Sequence, residues 1–357
     1  MIIHLPYALY FTSLVVSFFL FPVFIRILEK NKILDSPDDR KIHASHTPSM
    51  GGTPIFFSCV FSLLVWLPVD IADQFKYLFM SLSIMFLVGL RDDLIPLKPS
   101  TKILSQLIPI LIFVYLSKER IHSFYEIYEI EIPVIITFII TSTFLLVFSN
   151  SLNLIDGIDG LAGSLCLLIL FFFGFWFWIM GSSHYSLLAF CMAGGISSFL
   201  IFNWNPSKVF LGDTGALLLG LFIGYLGIVF LNTNEAASNF KELRFRSPVA
   251  AAIAILIIPI LDTIRVVIVR LIKRQSPLQA DKNHLHHLLL KGRLSHSQAT
   301  LVLVLLNILF ITMALVMREA HPLLNWSVLI ILSLGSISLI VLFKELRLKP
   351  HTKKPCI

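Results

Sequence analysis

Long apolar runs separated by short polar connections set the pattern of this chain. The runs fall at about 5–28, 50–69, 75–91, 102–117, 132–150, 160–180, 185–203, 211–231, 248–271, 298–317 and 322–343. Most have the length, roughly 17–25 residues, that carries an α-helix across a bilayer. The pattern predicts an all-α, polytopic integral membrane protein with about eleven transmembrane helices. The first run has no Lys or Arg before it and is long for a cleaved signal, so it is expected to remain as a helix. No internal repeat or dividing linker is visible. The chain therefore reads as one transmembrane domain over 1–343 with cytoplasmic active-site loops and a basic cytoplasmic tail over 344–357.

One polar stretch between two apolar runs stands out: Asn153-Leu154-Ile155-Asp156-Gly157-Ile158-Asp159-Gly160. In a continuing helix Asn153, Asp156 and Asp159 stand at i, i+3 and i+6 and share one face. Two carboxylates and an amide beside open glycine backbone suit a site for phosphate and metal. The same residue types also favour an ordinary helix boundary.

Composition agrees with the membrane reading. The 357 residues are 57% hydrophobic and 14% charged, against the roughly 25% charged of soluble domains. Cys59, Cys166, Cys191 and Cys356 are scattered, show no metal or disulfide spacing, and read as small apolar filler. The net charge of +7 does not point to nucleic acid, because it gathers in one set of connections. Lys30, Lys32, Arg40, Lys41, Lys273, Arg274, Lys282, Lys291, Arg293, Lys349, Lys353 and Lys354 fall on one side. Lys76, Lys118, Arg120, Lys241, Arg244, Arg246 and Arg318 fall on the other. The excess of Lys and Arg in cytoplasmic loops then puts the N-terminus outside and the C-terminus in the cytoplasm. On the outer side, the partial alternation over 124–131 is compatible with a small hairpin.

Five polar clusters fall at the basic side. They are Asp39-Arg40-Lys41-Ile42-His43 with Pro48-Ser49-Met50-Gly51-Gly52; Gly89-Leu90-Arg91-Asp92-Asp93 with Lys98 and Lys102; the stretch around Asp156; Phe210-Leu211-Gly212-Asp213-Thr214-Gly215; and Asp281-Lys282-Asn283-His284-Leu285-His286-His287. Each has a plain alternative. Adjacent Asp92 and Asp93 diverge by about 100° on a helix, so at most one points squarely into a site. Lys102 suits either a phosphate or a snorkelling anchor. Asp213-Thr214 looks like an N-cap, yet Gly212 and Gly215 would admit a diphosphate, and a carboxylate there suits Mg²⁺. The histidines lie on a basic loop whose spacing does not make a zinc site; as donors they could grip a nucleotide diphosphate or its sugar. Asp262 and Arg265, at i and i+3 inside an apolar run, share a face and are either functional or simply paired with each other. One-sided carboxylates and basic groups, without thiols, point to metal-assisted phosphoryl transfer, in which neutralising and positioning a diphosphate matter most.

Taken together and in this order, these motifs resemble the polyprenyl-phosphate N-acetylhexosamine-1-phosphate transferases, whose relatives include the phospho-N-acetylmuramoyl-pentapeptide transferases. The resemblance runs from Asp35 to His287. It implies a bundle of ten or eleven membrane helices in the bacterial inner membrane with a cytoplasmic active site. It also implies transfer of a sugar 1-phosphate, by default N-acetylglucosamine 1-phosphate, from a UDP-N-acetylhexosamine to undecaprenyl or another polyprenyl phosphate. UMP is released, Mg²⁺ or Mn²⁺ is the cofactor, and a cell-surface polysaccharide is begun. By the same resemblance Asp213, with Asp156, would hold the metal, and Asp92 would deprotonate or orient the lipid phosphate beside Asp93. Asn153, Asp156 and Asp159 would form the nucleotide- and metal-proximal group, and Asp92, Asp93, Asp156 and Asp159 are the expected catalytic set. Lys102, Arg40, His43, His284, His286 and His287 would contact substrate. The His-Leu-His-His order is closer to the N-acetylhexosamine branch than to the muramoyl-pentapeptide branch. Ser100-Thr101 stands where relatives often carry another basic residue. The sugar, the choice between direct attack and a covalent enzyme intermediate, and assembly as a homodimer all stay open at this stage. From another class, a secondary transporter would place its polar site near the bilayer midplane and often shows repeated halves.

Overall fold

The computed structural model describes residues 4–31, 33, 47–123, 132–236, 243–276 and 283–348. Arg40 and His43, the hairpin expected over 124–131, Asp281, Lys282 and the end of the basic tail lie outside the described residues. Among the described residues the chain is helical throughout: α1 (Leu5–Lys30), α2 (Gly52–Trp66), α3 (Val69–Gln74), α4 (Lys76–Leu94), α5 (Pro99–Ser117), α6 (Val134–Ile155), α7 (Leu161–Ile179), α8 (Ser183–Asn203), α9 (Gly212–Ala236), α10 (Pro248–Ile255), α11 (Ile257–Ile272), α12 (Leu285–Lys291), α13 (His296–Val316) and α14 (Pro322–Leu348).

All eleven apolar runs coincide with helices, but not all have the length and composition of a span. Eight do: α1, α5, α6, α7, α8, α9, α13 and α14; α10 and α11 add a ninth if taken as one broken span. The helix α2 has only 15 residues. The helix α4 ends in Arg91, Asp92 and Asp93. The chain is thus a multi-pass membrane protein by its helices; the apolar run over 248–271 is two helices rather than one, and α3 and α12 are short helices that the runs do not predict. The start of the expected tail is also helical, since α14 runs on to Leu348.

The helix α9 is the axis of the bundle. Every side chain from Thr214 to Leu231 is buried, and α2, α4, α6, α7 and α10 pack around it. A helix apolar on all sides is expected at such a position. Small residues bring its neighbours close, as in membrane bundles generally. A Cβ on Gly220 would collide with the Ser149 backbone of α6, and one on Gly89 of α4 would lie 2.6 Å from Thr214 Cα. Outside this centre α1 packs on α8, and α8 on α7.

The break between α10 and α11 bends the chain by 84°. Pro259 explains it. Proline has no N–H to give to the carbonyl four residues back, and its ring crowds that carbonyl. The orphaned carbonyl is that of Ile255, and the buried Asn307 side chain of α13 donates to it at 3.1 Å. An unpaired carbonyl in an apolar interior is costly, so this bond is what lets the bend exist there. Replacing Asn307 by Leu, similar in size but without the donor, is expected to destabilise the fold by about 1–3 kcal/mol. A thermal-melt comparison of the detergent-solubilised variant with the parent checks this, and an unchanged melting temperature would count against it.

Candidate active site

Four helix ends meet at one end of the bundle and bring the sequence motifs together. The C-terminal turn of α4 carries Asp92 and Asp93, the first turn of α5 carries Lys102, the end of α6 carries Asn153 and Asp156, and the start of α9 carries Asp213. A short backbone pairing adds the Ser49-Met50-Gly51-Gly52 segment. Phe210 N–H donates to the Pro48 carbonyl at 2.9 Å, Gly51 N–H to Phe210 at 2.8 Å and Gly52 N–H to Leu211 at 3.1 Å. Two glycines make this approach possible: a Cβ on Gly52 would strike the Gly215 backbone, and Gly212 takes a φ of 73°, in the left-handed region that glycine adopts without strain.

The two adjacent aspartates of α4 do different work. Asp93 turns to the start of α9, where its carboxylate accepts from the backbone N–H groups of Asp213 and Thr214, both at 2.9 Å, and from the Thr214 hydroxyl. The first N–H groups of a helix have no partners within it, and an anion there also meets the positive end of the dipole. Asp93 thus caps α9 from another helix, which corrects the expectation that Asp213-Thr214 cap it themselves. Asp92 faces the other way. Its Oδ1 accepts from Leu97 N–H at 2.6 Å, and its Oδ2 lies 2.9 Å from Lys102 Nζ.

Asp213 is the hub. Its Oδ1 takes both the Lys102 ammonium and the Asn153 side-chain amide, so Lys102 sits between the carboxylates of Asp92 and Asp213. Asp156 follows α6 as its C-cap residue and accepts from Gly212 N–H; burial, with the nearby carboxylates of Asp213, Asp93 and Asp159, pushes its pKa up to about 7. The oxygen-only donors Asp156 and Asp213 suit a hard cation, and Mg²⁺ commonly takes one or two carboxylates and completes its octahedron with phosphate and water. A cation already stands on Asp213, shared with Asp92, in the form of the Lys102 ammonium. No group of three or more acidic, His or Cys side chains is gathered around one point among the described residues.

Asp159 does not share the face of Asn153 and Asp156. The helix ends at Ile155, and the turn through Gly160, at φ 76°, redirects the chain into α7. The buried Asp159 carboxylate instead lies 3.5 Å from His296 Nδ1 and 3.4 Å from Ser207 N–H, while its backbone carbonyl accepts from the Thr300 hydroxyl at 3.0 Å. It latches the turn to α13. Sequence reasoning missed His296 and Thr300, because the polar stretch Ser295-His296-Ser297-Gln298 reads as an ordinary helix start ahead of an apolar run.

The histidine loop reaches the site through the same turn. A Cβ on Gly157 would strike His286 Nε2, so that imidazole lies directly on the turn. His286 is buried, its two ring nitrogens have no partner among the described residues, and burial holds its pKa well below the ordinary value, so the ring is neutral. His284 is also buried; its ring stacks parallel to that of His286 at 5.7 Å, and that of His287 lies 4.3 Å from His286. The loop is held by α11. Asp262 accepts from His284 Nδ1–H at 2.8 Å and from Leu285 N–H at 2.7 Å, and Arg265 donates to the Asn283 carbonyl. Asp262 and Arg265 therefore do share a face, as their spacing predicts, but they hold the loop rather than each other.

Comparison with known proteins identifies the family. The chain is 28% identical to a protein of Bacillus subtilis (strain 168) named probable undecaprenyl-phosphate N-acetylglucosaminyl 1-phosphate transferase, over 96% of this chain and 94% of that one. It is 24% identical to the undecaprenyl-phosphate alpha-N-acetylglucosaminyl 1-phosphate transferase of Escherichia coli (strain K12), over 90% and 87% of the two chains. A phospho-N-acetylmuramoyl-pentapeptide-transferase of Wolbachia is 32% identical, over 62% of this chain and 73% of its own. The profile of glycosyl transferase family 4 matches residues 75–231, the stretch that contributes Asp92, Lys102, Asn153, Asp156 and Asp213, and the chain belongs to that family.

Proposed function

We propose that this protein transfers N-acetylglucosamine 1-phosphate from its UDP-sugar to undecaprenyl phosphate, releasing UMP and starting a cell-surface glycan. The observation that carries the reading is the cluster of Asp92, Lys102, Asn153, Asp156 and Asp213 at one end of a membrane helix bundle. A diphosphate from water and a phosphate anchored in the bilayer can meet there. The full-length similarity to transferases of that name supports the same substrates. The muramoyl-pentapeptide alternative has a match over less of the chain. A transporter would need its polar groups between the helix ends rather than at them.

The reading includes eleven crossings, with α2, α4 and the bent α10–α11 pair counted among them, an outside N-terminus and a cytoplasmic site. The basic residues Lys30, Arg91, Lys98, Lys273, Arg274, Lys291 and Arg293 flank the site end, which supports that orientation.

In the reaction an oxygen of the lipid phosphate attacks the phosphorus that bears the sugar. The bond from that phosphorus to the bridging oxygen breaks, and UMP leaves. Asp92, pinned by Leu97 N–H, orients the incoming lipid phosphate. Asn153 fixes the rotamer of Asp213, and Asp93 fixes the helix start from which Asp213 projects. Lys102 supplies an ammonium to the diphosphate oxygens. Neutral His286 offers a ring N–H to the sugar or its phosphate. Asp213 and Asp156 would hold Mg²⁺, which, when bound, neutralises the diphosphate and the leaving nucleotide.

Purified protein with undecaprenyl phosphate, Mg²⁺ and a panel of UDP-sugars is expected to release UMP only when lipid and metal are both present, fastest with UDP-N-acetylglucosamine. Asp213→Asn is expected to cut turnover by at least about 100-fold while leaving the melting temperature near that of the parent. Full activity in that variant would refute the assignment. A second expectation concerns pH. Because the Asp156 carboxyl is raised from 3.8 to about 7 on folding, the folded protein holds a proton there that the unfolded chain has lost, so stability falls as pH rises from about 4 to about 7. Asp156→Asn lacks that loss. In chelator-treated protein its melting temperature relative to the parent should rise across this interval, and a pH-independent difference would contradict the burial argument.

A further inference from the structure

The position of Lys102 has a consequence for how ligands enter. Its Nζ is 2.9 Å from Asp92 Oδ2 and is bonded to Asp213 Oδ1, and its side chain is only 18% exposed. Asp213 Oδ1 is an oxygen on which a divalent cation held by Asp213 and Asp156 would draw. An ammonium bound to that oxygen repels, and competes with, a divalent cation for the same Asp213 carboxylate. We infer that Lys102 is a built-in placeholder cation: it neutralises Asp92 and Asp213 in the protein by itself, and a divalent cation binds well only when a diphosphate arrives to take the ammonium over. The inference rests on the transferase reading for the identity of the diphosphate, and goes beyond it by assigning an order and a coupling to binding.

Three features favour displacement over a permanent bridge. Lys102 lies in the first turn of α5, three residues into the helix behind Pro99, so its flexible stem pivots from a helix end. The carboxylates do not depend on Lys102 for their positions, since Asp92 is pinned by Leu97 N–H and Asp213 is held by Asn153 and by the capped start of α9. Their geometry therefore persists when the ammonium leaves. Finally, two carboxylates this close repel strongly when unneutralised, and the ammonium removes that cost until another cation does so. The cation and the diphosphate then raise each other's affinity by the same factor, as linkage requires. Lys102 would thereby keep the site from holding a metal ion when no nucleotide is present.

Mn²⁺ binding, followed by electron paramagnetic resonance on purified protein, tests this without turnover. In the parent, Mn²⁺ should bind at least about fivefold more tightly with saturating UDP than without it, within the usual range of such couplings. Lys102→Met should bind Mn²⁺ at least tenfold more tightly than the parent in the absence of UDP, and should lose most of the coupling. Lys98→Met removes an equal charge from the exposed residue before α5 and should change the affinity by less than about twofold, separating displacement from a general change in field. Unchanged or weaker Mn²⁺ binding in Lys102→Met, or no coupling to UDP in the parent, would overturn the inference. If Lys102→Met does not fold, Lys102→Arg serves: a guanidinium keeps the charge and so should keep the weak unassisted binding, and tight binding there would refute the placeholder. Absence of Mn²⁺ binding in the parent under every condition would overturn the metal assignment as well. UMP release that needs metal, alongside unaltered affinity in Lys102→Met, would overturn this inference alone.

Discussion

The structure turns on one helix start whose first N–H groups are satisfied by a carboxylate from a neighbouring helix. The helix α9 is buried from Thr214 onward, so its first N–H groups need partners from protein, and the carboxylate of Asp93 provides them from α4. That cross-helix cap fixes α4 against α9. It thereby sets the distance between Asp92, one residue before the cap, and Asp213, one residue into the helix. Gly89, one turn earlier on α4, lies where the α9 backbone passes too close for any side chain. The acidic pair is therefore a divided device in which one carboxylate builds the site and its neighbour faces into it.

Much of this was legible in the sequence. The apolar runs predict the helices, because in a bilayer every backbone group must be satisfied within the segment and only regular helix does so. Asp92, Lys102, Asn153, Asp156 and Asp213 were identified and do converge. What failed had local reasons. Asp159 looked like a third member of a helical face, but α6 already ends at Ile155, and the turn that leads through Gly160 into α7 carries its carboxylate to His296. The bend at Leu256 was hidden because Pro259 sits in an uninterrupted apolar run, where its effect depends on whether a neighbour such as Asn307 can take the freed carbonyl. The division of labour between Asp92 and Asp93 could not be assigned, since the 100° between them says that they differ and not which one faces the site.

The bent pair α10–α11 supports the site from the side. The long helices deliver residues only at their ends, along the bundle axis. The histidine loop lies beyond those ends and needs support from the side. By turning through 84°, the chain presents Asp262 and Arg265 of α11 to the loop at Asn283, His284 and Leu285. Buried charges are costly unless paired and hydrogen-bonded, and here each charged group meets a backbone or imidazole partner. With His284 held, the parallel stacking places His286 against Gly157, where only a glycine leaves room for the ring. His286 keeps its ring nitrogens unbonded within the described protein, so an incoming hydroxyl, amide or phosphate would meet no internal competitor for them. His286 thus keeps both ring nitrogens for substrate, while Asp262 and Arg265, which hold the loop, are bonded to protein. A helical bundle can hold water-soluble chemistry at its edge by that division, without opening its apolar interior.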